Sequence, residues 1–181
     1  MPRTLILYST TDGHTLKICQ RLQRDIQAAA ESAVLADLRQ GVPADWSNYD
    51  RILIGASIRY GHHGREVLAF MRNQAETLRA KGAAFFSVNL VARKPAKAQP
   101  DTNPYLRKFL RKLDWRPGTL AVFAGRLDYP SYSLLDRWLI RLIMAVTGGP
   151  TDPATVVEFT DWDQVDQFAA RFLAEPPQPR Q

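Results

Sequence analysis

A run of small polar side chains follows the first apolar segment of the chain. It consists of Ser9, Thr10, Thr11, Asp12, Gly13, His14 and Thr15. Hydroxyls, backbone amides and a helix N-terminus gathered at one place stabilise a phosphate without a lysine. The run has one glycine and no lysine, so it matches neither the P-loop nor the G-x-G-x-x-G dinucleotide motif. It therefore favours a terminal phosphomonoester over a pyrophosphate, although ordinary helix caps use the same residue types.

The positive charge of the chain is concentrated in one segment. The chain carries 24 Lys and Arg against 18 Asp and Glu, a net charge of +6. The whole excess falls within residues 90–118, so this segment predicts contact with an anion, with a solvated face as the alternative. Ligand carboxylates and an anionic membrane both suit it, whereas no nucleic-acid-binding motif accompanies the charge. The candidate contact residues are Arg93, Lys94, Arg107, Lys108, Arg111 and Lys112.

Two adjacent histidines, His62 and His63, follow the third apolar segment. Histidine titrates near neutral pH, so the pair is a candidate proton relay. Exposure of both rings to solvent is the favoured alternative. No metal is expected, because neighbouring histidines do not readily face one ion and no third ligand lies near them.

Short apolar segments alternate with helical patterns along the chain. This alternation predicts an α/β fold, a five-stranded parallel sheet of strand order 2-1-3-4-5 with helices on both faces. Ligands of such sheets bind beyond the carboxyl ends of the strands. The predicted strands begin near Thr4, Ala33, Arg51, Ala83 and Thr119, and the predicted helices cover Thr15–Ala30, Arg65–Arg79, Tyr105–Leu113, Leu134–Thr147 and Trp162–Leu173.

The length of 181 residues suits a single domain. A lone cysteine, Cys19, excludes a disulfide framework, and the absence of both a long apolar run and a signal peptide favours a cytoplasmic protein. We expect a domain over residues 1–174 that contains the basic insertion 90–118. The Pro-rich residues 175–181 are expected to form a disordered tail.

The predicted helix Leu134–Thr147 is apolar almost all round. Ser133 and Asp136 form a capping-box pattern at its start. The helix is too short to span a bilayer. Full burial in the core is slightly favoured, and a position in the membrane interface, with Trp138 at headgroup level, is the alternative.

Four stretches of the sequence together resemble one enzyme family. They are residues 9–15, Ile54–His62, Phe86–Pro95 and Thr160–Trp162. They are similar to stretches of the flavodoxin-like, menaquinone-dependent protoporphyrinogen IX oxidases of bacterial haem synthesis. The first stretch is shared across the flavodoxin superfamily, and the second and third are more specific. The likeness covers nearly the whole chain up to about Leu173.

The resemblance implies an FMN site in a flavodoxin-like fold. The phosphate would lie in residues 9–15, with Tyr60 stacking on the flavin ring. The second stacking residue stays open among Tyr105, Tyr129 and Tyr132. The ring would be lined by Ser57, Ile58, Arg59, Tyr60 and Gly61, by Ser87, Val88, Asn89 and Leu90, and by Gly125 and Tyr129.

The resemblance also implies an activity and partners. FMN would oxidise protoporphyrinogen IX to protoporphyrin IX and pass electrons to menaquinone or another membrane quinone. The protein would associate peripherally with the cytoplasmic face of the inner membrane, and the basic insertion would bind propionates or anionic lipid. A soluble NAD(P)H:quinone reductase and a flavodoxin-type electron carrier are the alternatives. A homo-oligomer is left open, and no catalytic acid–base residue is assigned.

Overall fold

The computed structural model describes residues 1–177 and alternates strands with helices along the chain. Its strands are β1 (Arg3–Ser9), β2 (Ser32–Asp37), β3 (Arg51–Arg59), β4 (His62–His63), β5 (Ala84–Asn89), β6 (Leu120–Ala124), β7 (Arg126–Asp128) and β8 (Val156–Glu158). Its α-helices are α1 (His14–Ala28), α2 (Arg65–Asn73), α3 (Ala75–Ala80), α4 (Pro104–Leu110), α5 (Leu134–Thr147) and α6 (Trp162–Ala174).

Five parallel strands form the central sheet in the order β2-β1-β3-β5-β6. This is the predicted order 2-1-3-4-5, with β5 and β6 as the fourth and fifth predicted strands, so the predicted fold is confirmed. The sequence did not predict the two-residue strand β4, which pairs antiparallel with β3. It also missed the antiparallel pair of β7 and β8, because three-residue strands leave too little alternation to detect.

Two hydrophobic clusters cover the two faces of the sheet. Successive residues of β1 point to opposite faces, so Leu5 and Leu7 join one cluster while Ile6 joins the other. Helices α1 and α6 pack on the Ile6 side, and α2, α3 and α4 pack on the other side. This double covering explains why the strands read as continuous apolar runs.

The prediction of one continuous helix over Arg65–Arg79 was wrong. The structure divides it into α2 and α3, which are separated at Gln74. The buried residues Val67, Met71 and Leu78 keep helical spacing across the break. Periodicity therefore could not detect it, because the apolar stripe continues on the same side of the sheet.

The basic insertion packs into the core. Leu106, Phe109 and Trp115 are buried in the cluster that also contains Phe85. The rings of Phe85 and Phe109 are stacked at 5.0 Å between centroids. The insertion is therefore anchored by its apolar residues, and its charged residues are left to face outward.

Helix α5 stands apart from both main clusters. Its buried residue Met144 belongs to a small third cluster with Leu127, Tyr129 and Tyr132. Full burial was therefore the wrong expectation, because most of its apolar side chains face solvent. The exposed ones are Leu134, Leu135, Trp138, Leu142, Ile143 and Val146. Across the part of the chain that the structure describes, no helix is long and apolar enough to span a membrane.

The beginning of the predicted disordered tail is attached to the domain. The hydroxyl of Thr119 donates a hydrogen bond to the carboxylate of Glu175, the first residue of the predicted tail. The bounds of the domain and of the tail stay predictions. Residues 178–181 lie outside the described residues.

Candidate active site

A cavity of about 320 Å³ opens at the carboxyl ends of the parallel strands, where the fold predicts a ligand. This main cavity is bounded by the loop after β1, the ends of β3 and β5, the turn after β6 and one side of α5. The predicted cofactor residues that line it are Thr10, Asp12, Gly13, His14, Thr15, Ser57, Ile58, Arg59, Tyr60, Gly61, Val88, Asn89, Leu90 and Gly125.

The loop after β1 presents unused hydrogen-bonding groups to the main cavity. Gly13 caps α1 in the left-handed conformation, with φ 82°, and has no side chain to occupy the helix amides. The Thr10 hydroxyl accepts a hydrogen bond from the Gly13 amide at 3.0 Å. The Thr15 hydroxyl is buried and has no partner within residues 1–177. An unpaired buried hydroxyl beside an uncapped helix N-terminus fits the phosphate of FMN.

Asp12 is the one acid in this loop, and its charge would repel a phosphate. The guanidinium of Arg59 lies 3.4 Å from the Asp12 carboxylate. Because Arg59 is the last residue of β3, the end of this strand offsets the unfavourable charge of Asp12 in the loop that follows β1.

Arg59 also joins the strand loops to helix α5. It donates a hydrogen bond to Asp136, in the first turn of α5, and the Tyr60 hydroxyl donates to the other carboxylate oxygen at 2.6 Å. The Ser133 hydroxyl donates to Asp136 as well, at 2.8 Å. Hydrogen bonds from Tyr60 and Ser133, together with the charge of Arg59, lower the pKa of the Asp136 carboxyl. The Asp136 carboxyl is therefore ionised at neutral pH. We call Arg59, Tyr60, Ser133 and Asp136 together the α5 latch.

His14 sits beneath the loop in a defined protonation state. Its Nε2 lies 2.6 Å from the Thr160 hydroxyl, which in turn donates to the carbonyl of Ala124 at 2.7 Å. Since that hydroxyl has one proton and has donated it, His14 must donate through Nε2. Burial lowers the pKa of His14 more than the nearby Glu158 raises it. A neutral His14 thus attaches the start of α1 to the segment before α6.

The loop after β5 is held by a buried polar network. The Ser87 hydroxyl lies 2.8 Å from Nε2 of His63 and accepts a hydrogen bond from Asn89 at 3.2 Å. Asn103, which caps α4, donates to the side-chain oxygen of Asn89 at 3.1 Å. Asn89 also lines the main cavity, so the network fixes a cavity residue against the basic insertion.

His63 was expected to face solvent together with His62. The structure leaves His62 exposed but buries His63 among Phe85, Phe109 and Ser87, so the expectation was wrong for His63. Burial, with smaller effects of His62 and Lys112, lowers its pKa to about 3. The ring is therefore neutral at physiological pH, and its contact with the Ser87 hydroxyl positions that side chain.

Helix α5 supplies a wall that the sequence did not assign to the site. Leu139, Ile140, Ile143 and Met144 line the same cavity as the loop after β1. The capping pattern at Ser133 located the start of this helix. Nothing in the pattern indicated that the helix lies across the strand ends.

Four predicted cofactor residues do not line the cavity. The Ser9 hydroxyl donates to Glu66 at 2.5 Å, and Ser87 is turned toward His63. Thr11 is exposed. Tyr129 is fully buried in the third cluster, and its hydroxyl donates to the carbonyl of Pro150 at 2.7 Å, so the structure places it in the core. Of the three candidate stacking residues, Tyr105 and Tyr132 border the cavity.

The six predicted cations do not share one location. Arg93 borders the main cavity and donates to the carbonyl and hydroxyl of Thr147, so it attaches the end of α5. Lys108 and Lys112 line a second groove beside the main cavity. Lys94, Arg107 and Arg111 line neither space, and their roles stay predictions.

Comparisons with known proteins agree with this geometry. A family model described as a flavodoxin domain matches residues 5–154. A curated relative from Escherichia coli strain K12 is 47% identical over 167 residues, which are 92% of each chain. One from Leishmania major is 45% identical over 186 residues, covering 99% of this chain and 80% of the relative. Both are named protoporphyrinogen IX dehydrogenase (quinone).

Solved structures support the fold. Oxidised flavodoxin 1 from Bacillus cereus aligns over 96% of this chain and 99% of its own, with a TM-score of 0.53 and 15% identity. Oxidised flavodoxin 2 from the same organism aligns over 94% and 97%, with a TM-score of 0.52 and 16% identity. At these identities the likeness concerns the fold alone.

The cavity and the comparisons agree on the class of protein. The uncapped helix, the unpaired Thr15 hydroxyl and the flavodoxin-domain match together bear out FMN as the cofactor. The predicted family is confirmed by two curated relatives of one name. The chain therefore belongs to the flavodoxin-domain family and, within it, to the oxidoreductases named protoporphyrinogen IX dehydrogenase (quinone).

Proposed function

We propose that this protein oxidises protoporphyrinogen IX to protoporphyrin IX with bound FMN and passes the electrons to a membrane quinone, with menaquinone as the expected acceptor in haem synthesis. The observation that carries the proposal is the contrast within one cavity. One side is a polar phosphate loop, and the other is the apolar wall of α5. A phosphorylated flavin suits the first side, and a large planar substrate or a quinone suits the second.

The reaction balances in electrons and protons. Conversion of the porphyrinogen to the porphyrin removes six electrons and six protons, so three quinones become three quinols. Bound FMN supplies the two-electron chemistry that connects the two half-reactions. No acid–base residue of this chain is assigned, because the proposal requires only that the flavin accept and release electron pairs.

The residues of this chain contribute position and electrostatics. The helix amides and the hydroxyls of Thr10 and Thr15 would hold the phosphate, and Arg59 would offset Asp12. Asn89, fixed by its network, would contact the polar edge of the ring. Leu139 and Ile143 would exclude water from the opposite face, where the substrate lies.

An anaerobic reduction experiment tests this function. Purified protein loaded with FMN is mixed with protoporphyrinogen IX, and bleaching of the flavin absorbance is followed, with NADPH as the matched donor. We expect bleaching with the porphyrinogen and none with NADPH, followed by recovery of the absorbance when a menaquinone analogue is added. Bleaching by NADPH alone would favour the quinone reductase. Recovery only with a protein acceptor would favour the electron carrier.

We further propose that the protein contacts the membrane through the outer side of α5. Leu134 and Val146 at its two ends are 82% and 80% exposed, and Trp138 between them is 63% exposed. Exposed apolar patches of this kind mark interaction surfaces, and an apolar helix with an aromatic residue suits a bilayer interface. A lipid-soluble quinone would then reach the α5 wall directly from the membrane.

Vesicle sedimentation tests the membrane contact. The triple variant Leu134→Gln, Leu135→Gln and Trp138→Gln should lower binding to vesicles containing phosphatidylglycerol severalfold. The control replaces Val34 and Val156, two exposed apolar residues outside α5, by glutamine and should leave binding unchanged. Light scattering is measured on all variants. A triple variant that alters the oligomeric state and leaves vesicle binding intact would assign this surface to self-association instead.

A further inference from the structure

A second groove, with a volume of about 270 Å³, opens beside the main cavity. It lies between β4, the start of α2 and helix α4. Gly61 and Tyr105 line both spaces, so the groove and the main cavity share a wall at these two residues.

Three permanent cations line this groove. Arg65 is the first residue of α2, Lys108 lies in α4, and Lys112 follows that helix. None of the three forms an ion pair with a carboxylate of residues 1–177. The other charged residue in this turn, Glu66, is hydrogen-bonded to Ser9 and does not line the groove. The groove therefore combines unneutralised positive charge with a helix N-terminus, and both favour a bound anion.

The floor of the groove is apolar. Leu68 and Phe109 contribute aliphatic and aromatic surface, and the buried ring of His63 packs against Phe109 at 4.6 Å between centroids. An apolar floor below a cationic rim suits a short hydrocarbon stem that ends in a carboxylate. An inorganic anion would leave the floor uncovered.

We propose that the groove binds the propionate carboxylates of the porphyrin substrate while the macrocycle occupies the main cavity. The inference rests on the proposed function for the identity of that substrate. Lys108 in α4 and Lys112 just after it bind the carboxylates from one side, and Arg65 binds them from the start of α2. Tyr105 lies at the boundary of the two spaces, which the propionate side chains would cross. Sequence reasoning had grouped Lys108 and Lys112 with Arg107 and Arg111, and only the fold separates the two pairs.

A binding experiment with matched charge changes tests the groove. The double variant Lys108→Gln and Lys112→Gln removes two groove cations, and Arg107→Gln with Arg111→Gln removes two from the same segment outside the groove. Protoporphyrin IX and its dimethyl ester are titrated by fluorescence in vesicle-free buffer with neutral detergent. We expect the lysine variant to raise the Kd for protoporphyrin IX about tenfold and to change that for the ester less than about twofold.

The outcomes separate this inference from the proposed function. An equal loss in both double variants, or an equal loss for the acid and the ester, would overturn the groove. Unchanged binding in the lysine variant with an unaltered melting temperature would also overturn it. If the unmutated protein does not oxidise protoporphyrinogen IX, the proposed function fails. The groove then still stands as a porphyrin carboxylate site if the lysine variant alone loses the acid.

Discussion

Helices α1 and α5 both begin at the main cavity, but they are attached to the domain in different ways. In α1, Ile18, Leu22 and Ile26 are fully buried against the sheet. In α5, which is of similar length, Asp136 and Met144 are the buried residues. The N-terminus of α1 is capped by glycine and left open, whereas Ser133 and Asp136 occupy that of α5. A helix that is fixed by many buried side chains can leave its N-terminus open to a ligand, while α5, with few buried side chains, also uses its first turn for attachment.

Alanine substitutions in α1 and α5 should differ most in their effect on the free energy of unfolding. Ile18→Ala, at a fully buried position, should lower the free energy of unfolding by about 3 kcal/mol because it leaves a cavity. Leu142→Ala, at a position that is 48% exposed, should change it by less than about 0.5 kcal/mol. Urea denaturation measures both. Similar losses would mean that the outer side of α5 is covered in solution.

The variant Thr15→Val tests whether the open N-terminus of α1 binds the phosphate. Loss of a hydrogen bond to a charged phosphate should raise the Kd for FMN by roughly 10- to 100-fold. The same variant should stabilise the apo-protein by about 1 kcal/mol, because the buried hydroxyl has no protein partner within residues 1–177. Flavin fluorescence titration and thermal melting measure the two effects.

Riboflavin is the matched ligand for this test, since it lacks the phosphate. Its affinity should be nearly equal for Thr15→Val and the unmutated protein. A loss that is the same for riboflavin and FMN would place Thr15 against the ring instead of the phosphate.

The pH dependence of stability tests the part of the molecule that is fixed by the core. The buried ring of His63 lies beside the sheet and not beside α5. Its pKa of about 3 in the folded state is below that of a free histidine, so the unfolded state binds more protons between these values. Stability is therefore lost as the pH falls below about 6.5, by about 2 kcal/mol at pH 5.

The variant His63→Gln should reduce this slope in urea denaturation performed from pH 7 to pH 5. Some slope should remain, because the pKa of His14 is also lowered by burial and acts in the same direction. His62→Gln is the control for its exposed neighbour and should keep most of the slope. An unchanged slope in His63→Gln would show that the ring is accessible to protons in the folded state.

Asp136→Asn should have the smallest effect, confined to α5. It removes the charge that Arg59 contacts and preserves the size of the side chain. Amide hydrogen exchange across residues 134–147 should become severalfold faster, while exchange in α1 stays unchanged. An equal increase in the rate of amide exchange in both helices would mean that the α5 latch stabilises the whole domain.

The polar loop after β1 and the parallel sheet were accessible from the sequence because both depend on short-range patterns. Residues 9–15 are contiguous, and a strand with its following helix is one local unit. The all-round apolar pattern of α5 is equally visible, but it does not say which side finds a partner. Tyr129 was assigned to the site for a similar reason, since its position after a strand does not indicate whether the ring turns inward.

The sequence by itself determined the five parallel strands, their order and the polar loop that opens the cavity, because propensity, periodicity and adjacency act over a few residues. The tertiary structure decided how the walls meet. Arg59 and Asp136 are 77 residues apart, and His14 and Thr160 are 146 apart. Such contacts depend on how whole helices pack. Before the chain folds, many other pairs of distant residues have side chains of the same chemical types. Only packing selects among them, and so only the fold could bring the α5 wall and the groove lysines to adjoining spaces.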